Sequence, residues 1–156
     1  MADSQAQSPN KILIIDDHPE SVIPLRIYLK KNGYITKTVC NGYDGIIQLS
    51  TKIYDFVILD WLMPEIGGMQ TLIEADRCFT MDPVVNVNWL HCFQIPVVIY
   101  TAHMMYLNRI KELDHFKIVN MFNKSQSAKG ISDEIHRSLQ ALARDARIHP
   151  RTLIIN

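Results

Sequence analysis

Residues 57–69 read "VILDWLMPEIGGM": a run of aliphatic residues ends on a lone carboxylate, Asp60, and gives way to a tryptophan, a proline and two glycines. A short aliphatic run without polar alternation is the pattern of a strand covered on both faces, as in a parallel sheet. The full run, "DFVILD" at 55–60, has three counterparts: "KILIID" at 11–16, "PVVIYT" at 96–101 and the weaker "IVNMFNK" at 118–124. A fifth strand, "ITKTVC" at 35–40, alternates polar with apolar residues and is expected at a sheet edge.

Helix-length segments lie between these runs. Residues 21–31, "SVIPLRIYLKK", open on Ser21 as a capping-type residue, carry Pro24 in the first turn and stop at Asn32-Gly33. Further helices are predicted at 44–51, 69–78, 104–116 and 131–143. The last has Ser132 and Asp133 near its start, and Ile131, Ile135, Leu139 and Leu142 at helical spacing. Strand and helix alternate five times. That order predicts right-handed βαβ crossovers and an α/β, doubly wound parallel sheet with helices on both faces, any ligand lying at the carboxyl ends of the strands. One stretch exceeds this plan: residues 79–94, with Asp82 and Pro83 as a helix-start signal, read as an inserted short helix or ordered loop. The sequence divides into one domain at 10–143 and a tail at 144–156.

Composition excludes several classes. With 156 residues, 47% hydrophobic and 21% charged, the chain has the make-up of one ordinary globular domain. Lys plus Arg and Asp plus Glu balance at 16 each, so no net field recruits nucleic acid or anionic lipid. Three cysteines, Cys40, Cys78 and Cys92, lack CxxC spacing, which suits a reducing compartment. No basic-then-apolar leader and no apolar run of about 18 residues is present. The expectation is a cytoplasmic protein without membrane or nucleic-acid partners.

The strand ends carry the chemistry. The first predicted strand ends on Asp16-Asp17, the third on Asp60, the fourth on Thr101-Ala102 and the fifth on Lys124, and one sheet edge gathers them all. A single strand-end Asp is usually a cap or turn former, and a lone Thr or Lys there is blander still. Together they differ: carboxylates about 5 Å apart repel by on the order of 3 kcal/mol per pair at an effective dielectric near 20. A hard divalent cation relieves that repulsion, and Mg²⁺, with few carboxylate ligands, retained waters and a liking for phosphate oxygens, matches the set. Asp60 is then a nucleophile, and Lys124 and Thr101 offer a point charge and a hydroxyl to oxygens of a transferred group.

The motifs "ILIIDDHPE", "VILDWLMPEIGGMQTL", "PVVIYTA" and "NMFNK", in this order, resemble the receiver domain of two-component response regulators, most closely its stand-alone chemotaxis and sporulation-relay members. The resemblance covers about residues 11–143. It implies the flavodoxin-like strand order 2-1-3-4-5. It further implies that Asp60 accepts a phosphoryl group from a histidine kinase or histidine phosphotransfer protein. Mg²⁺ would be held by Asp17, Asp60 and the Leu62 carbonyl, with Asp16 acting through water. Thr101 and Lys124 would contact the phosphoryl oxygens, Ala102 would leave room for them, and Pro64 with Gly67-Gly68 would shape the covering loop.

Two positions depart from the family's pattern. Ser125 follows the lysine where proline in a cis peptide is customary, and a cis bond to a non-proline costs about 3–4 kcal/mol, so a trans peptide is expected. Met121 stands where the family's switch aromatic does, with Phe122 one later on the opposite face. The expected activity is that of a single-domain response regulator signalling by phosphorylation-dependent contacts, possible homodimerisation included, without turnover of outside substrates. Two rivals accompany it: a degenerate receiver acting as an interaction module without phosphorylation, and a small phosphatase capped by residues 79–94. His18 reads as a loop residue, and Met104-Met105 as core filling.

Overall fold

A computed structural model describes residues 10–81, 94–104, 110 and 112–145. Five strands, β1 (Lys11–Ile15), β2 (Ile35–Val39), β3 (Phe56–Leu59), β4 (Ile95–Thr101) and β5 (Phe116–Asn123), form one sheet in the order β2-β1-β3-β4-β5. Every adjacent pair is parallel. The four residues of β3 are all buried, as the uninterrupted apolar run requires of a central strand. β2 lies at the edge, where its alternating sequence belongs: Ile35 and Lys37 are exposed and Val39 is buried.

Four helices flank the sheet among the described residues: α1 (Ile23–Lys31), α2 (Gly42–Thr51), α3 (Gly68–Met81) and α4 (Ala128–Asp145). Alternate side chains of the central strands feed two separate cores. Leu13, Ile15, Val57, Leu59, Val97 and Ile99 pack with Leu49 of α2 and Leu72, Ala75 and Phe79 of α3. Ile12, Ile14, Phe56, Ile58, Val98 and Tyr100 pack with Leu25 and Leu29 of α1 and Ile131, Ile135 and Leu139 of α4. Each fully buried aliphatic or Phe side chain contributes about 1.5–3 kcal/mol of transfer free energy, so both faces anchor the sheet.

The helix ends correct several sequence expectations. Ser21 does not cap α1: the N-cap is Val22, without a side-chain cap bond, and the Ser21 hydroxyl turns toward Asp16 instead. Pro24 does lie in the first turn, and α1 ends at Asn32 with Gly33 in the left-handed region at φ 85°. α2 begins at Gly42, earlier than predicted, because Asn41 Oδ1 accepts the Asp44 N–H at 2.8 Å. α3 continues through Phe79 to Met81, so the first three residues of the predicted insertion belong to it. Phe79 carries it that far by packing on Phe116 of β5. Residues 82–93, with the Asp82-Pro83 signal, lie outside the described residues.

Of the helix predicted at 104–116, residues 105–109 and 111 also lie outside the described residues. Its end is a strand: residues 112–115 are not helical, and Phe116 starts β5 because its backbone pairs with Ile95 of β4. α4 starts at Ala128 and not at 131, with Ser127 just before it accepting the Ile131 N–H on its carbonyl at 3.0 Å. Ser132 is therefore buried within the helix, where its Oγ accepts a hydrogen bond from Asn32 Nδ2 at 3.1 Å and ties α4 to α1. Leu142, placed by spacing on the core stripe, is 41% exposed. No peptide is cis among the described residues, the Lys124–Ser125 bond included. No described helix is long and apolar enough to cross a membrane.

Candidate active site at the carboxyl edge of the sheet

Asp16, Asp60, Thr101 and Lys124 each stand at or one step beyond the end of a strand, still held by the ladder of its neighbour. The Asp16 N–H bonds the Val39 carbonyl at 3.1 Å, the Asp60 N–H bonds the Ile15 carbonyl at 2.8 Å, and the Lys124 N–H bonds the Thr101 carbonyl at 3.0 Å. Because β1, β3, β4 and β5 are consecutive in the sheet, these last ladder bonds bring the four strand ends together. The position of each charge is thus set by the rigid sheet and not by a loop.

Lys124 is the hub. Its Nζ lies 2.7 Å from Asp16 Oδ2 and 2.6 Å from Asp60 Oδ2. Both carboxylates are buried, at 1% and 5% exposure. Asp60 Oδ1 accepts the Leu62 N–H at 3.3 Å. Asp16 Oδ1 accepts the His18 N–H at 2.9 Å, and the Ser21 hydroxyl lies 3.3–3.4 Å from both Asp16 oxygens. Burial pushes the Asp16 carboxyl above its ordinary value, and Lys124 only partly counters this. Burial alone would pull the Lys124 ammonium down, but the two carboxylates together outweigh it and raise it. The Lys124 Nζ also sits 5.9 Å from the centre of the Tyr100 ring.

The other candidates surround this hub. Asp17 has one oxygen, Oδ2, 3.0 Å from His18 Nδ1, while Oδ1 is buried with no hydrogen-bond partner. A buried carboxylate oxygen without a partner is costly, and a cation is a group that would satisfy it. Asp16, Asp17 and His18 each offer a ligand atom, all within 4.8 Å of one another. The residues present therefore fit a hard divalent ion. His18, read from the sequence as a loop residue, belongs to that donor group, and Asp16 also contacts Lys124 directly. Thr101 is fully buried, and its Oγ1 accepts the His103 N–H at 3.3 Å, outside the Asp16–Lys124–Asp60 bridge.

The loop after Asp60 is held close to it. Gly68, at the start of α3, donates its N–H to the Trp61 carbonyl at 2.9 Å, and a Cβ there would stand 2.5 Å from the Asp60 carbonyl oxygen. Only glycine permits α3 to start this close to the end of β3. Trp61 is buried in the core on the α2/α3 side, so the residue after Asp60 is an anchor, whereas Leu62 is 42% exposed.

A family model for the response regulator receiver domain matches residues 12–136. The chain belongs to that family. Among curated receiver relatives it is 33% identical over 92 residues to the protein PilH of Pseudomonas aeruginosa, a match covering 59% of this chain and 67% of that one. It is 36% identical over 64 residues to the putative positive transcription regulator of virulence factors BvgA of Bordetella pertussis, covering 40% and 31%. The match to the sensor histidine kinase GacS of Pseudomonas protegens is 30% identical over 95 residues, 61% of this chain and 10% of the kinase. The receiver thus spans about a third of the Bordetella relative and far less of the kinase.

Solved structures agree on the fold. A CheY-like receiver from Methanospirillum hungatei superposes with a TM-score of 0.65 at 14% identity, covering 88% of this chain and 99% of that one. The response regulator TrrA of Thermotoga maritima, solved in complex with Mg(2+)-BeF, superposes at 0.61 with 23% identity, covering 83% and 98%. The receiver domain of a Pseudomonas aeruginosa sensor histidine kinase, solved with a magnesium ion coordinated in its active site cleft, superposes at 0.59 with 20% identity, covering 85% and 96%. The order 2-1-3-4-5 seen here is that of the CheY-like, flavodoxin-like fold.

Proposed function

We propose that this receiver is a phosphoacceptor of a two-component phosphorelay, taking a phosphoryl group on Asp60 from a histidine kinase or histidine phosphotransfer protein. The observation that carries the reading is the Lys124 ammonium bridging two buried carboxylates beside the orphaned Asp17 oxygen. In the transfer, one Asp60 oxygen forms a bond to phosphorus as the P–N bond of a phosphohistidine, or the P–O bond of an acyl phosphate, breaks. The electron pair leaves with the imidazole or the carboxylate. Asp16, Asp17, Asp60 and the Leu62 carbonyl are the proposed holders of Mg²⁺. When bound, that ion supplies positive charge to phosphoryl oxygens approaching a site already rich in carboxylates.

The chain's own groups do the remaining work. Burial strips Asp60 of competing water, and Lys124 is already positioned to follow the new negative charge from carboxylate to phosphoryl oxygens. The Thr101 hydroxyl, at the adjacent strand end, accepts the His103 N–H on a lone pair, which leaves its own O–H to donate to those oxygens. A phosphoryl group adds about −1.5 to −2 units of charge, enough to rearrange Lys124 and Thr101 and, through them, the face of β5 and α4. In this reading residues 10–143 are a single-domain cytoplasmic regulator whose output is contact with another protein, homodimerisation included, without turnover of an outside substrate.

Intact-mass measurement after incubation with acetyl phosphate and Mg²⁺ tests it. One phosphoryl adduct is expected on the wild type and none on Asp60→Asn. An unmodified wild type, still folded, would leave the interaction-module alternative standing; repeated turnover of a phosphomonoester would establish the phosphatase alternative.

A further inference from the structure

The turn that carries Lys124 has its own fastening. Asn123, the last residue of β5, accepts the Ser125 N–H on its side-chain Oδ1 at 2.8 Å. Its own N–H is taken by the side-chain Oε1 of Gln126 at 2.8 Å, and its carbonyl by the Gln126 N–H at 3.0 Å. Lys124 sits inside this reciprocal loop with its own N–H on the Thr101 carbonyl, and Asn123 Nδ2 reaches the Ala102 carbonyl at 3.5 Å. Four hydrogen bonds shorter than 3.1 Å therefore fix the backbone on both sides of the lysine, two through a side chain of the turn itself. No ring constraint assists, because Ser125 follows and every described peptide is trans.

We propose that Asn123 and Gln126 are positioning residues for Lys124: their clasp fixes the direction in which the lysine leaves β5, and so holds its ammonium between Asp16 and Asp60. The physical reason is entropic. A lysine side chain gives up much rotamer freedom when fixed, and a loose backbone would add its own freedom to that loss. An Asx-type turn removes the backbone part by satisfying the Ser125 N–H from within the turn. The contact it protects is worth protecting because misplacement of about 1 Å can slow a positioned reaction by up to a hundredfold.

The structural claim stands without phosphoryl chemistry; its kinetic consequence rests on the phosphoacceptor reading, so the test measures both separately. NMR relaxation of the Lys124 ε-methylene in the full chain reads its order directly, with exposed Lys30 and Lys37 as internal references. Lys124 should be restrained in the wild type, fall toward those references in Asn123→Ala and in Gln126→Ala, and recover in Asn123→Ser, whose hydroxyl can accept the same N–H. Acetyl phosphate with Mg²⁺ should then modify Asn123→Ala about tenfold more slowly than wild type, with Asn123→Ser in between. Lys124 as ordered in both alanine variants as in the wild type overturns the proposal, and so does an Asn123→Ala rate equal to wild type. A wild type that takes no phosphoryl group overturns the function proposed above while the relaxation comparison still decides the clasp.

Discussion

At the scale of single residues, one ammonium answers two buried carboxylates, and that stoichiometry governs how the site responds to change. Lys124→Met leaves Asp16 and Asp60 facing each other without their shared cation. Removing one partner of such a buried arrangement costs about 3 kcal/mol. Urea unfolding of the metal-free variant should show a loss of that order, and added Mg²⁺ should recover more stability in the variant than in the wild type. The pH dependence follows from the direction of the lysine's shift. Its ammonium is raised above the ordinary value of 10.5, so its contribution is complete below that pH and is lost as pH climbs through the higher folded value. The stability gap between wild type and Lys124→Met should stay level from neutral pH to about pH 10.5 and narrow above it, by urea titration at a series of pH values. The place of Asp60 as a carboxylate at a strand end was legible in the sequence from the aliphatic run before it. Ser21 was not: it looks like a helix cap, and only the fold shows its hydroxyl beside Asp16.

At the scale of elements, strand β5 shows why pattern reading reached the lysine but not its geometry. Ile118 packs with the α2/α3 core, and an unbroken two-residue period would send Phe122 and Lys124 to that same face. The register shifts instead: Val97 pairs with Ile118 and Val98 with Asn120, and Met121 then faces the α2/α3 core while Phe122 faces α1 and α4. Lys124 consequently leaves the strand on the Tyr100 side. Bulges of this kind re-aim side chains, and nothing in "KIVNMFNK" announces one except Asn120, whose Oδ1 accepts the Met121 N–H at 2.8 Å. Two glycines carry element-scale predictions. Gly33 has open space around it, so Gly33→Ala strains only the backbone at φ 85° and should lower stability by about 1–2 kcal/mol by thermal or urea unfolding. Gly68→Ala forces the start of α3 away from the Asp60 carbonyl and should cost about 1–3 kcal/mol. Unlike Gly33→Ala, it should also slow modification by acetyl phosphate, because the backbone it displaces carries Asp60, the proposed acceptor.

At the scale of the whole molecule, two cores clamp one sheet, and the site inherits the rigidity of both. Leu59, fully buried one residue before Asp60, should cost about 2–5 kcal/mol as Leu59→Ala, whereas the exposed Leu142→Ala should change stability by less than about 0.5 kcal/mol, both by urea unfolding. The contrast checks the observed burial against the sequence patterns, since the aliphatic run placed Leu59 and helical spacing placed Leu142 in the interior. Sequence by itself determined the α/β class, the edge placement of β2 and which strand ends bear charge. Those follow from the two-residue and 3.6-residue periods and from the chemistry of chain breaks, all of them local. Tertiary structure decided the rest. Whether Lys124 bridges Asp16 and Asp60, which way β5 turns it, and that Ser132 fastens α4 to Asn32 depend on parallel pairing between residues far apart in the chain. Pairing register and burial are collective properties: they emerge when both faces of the sheet are packed, and no short stretch of sequence contains them.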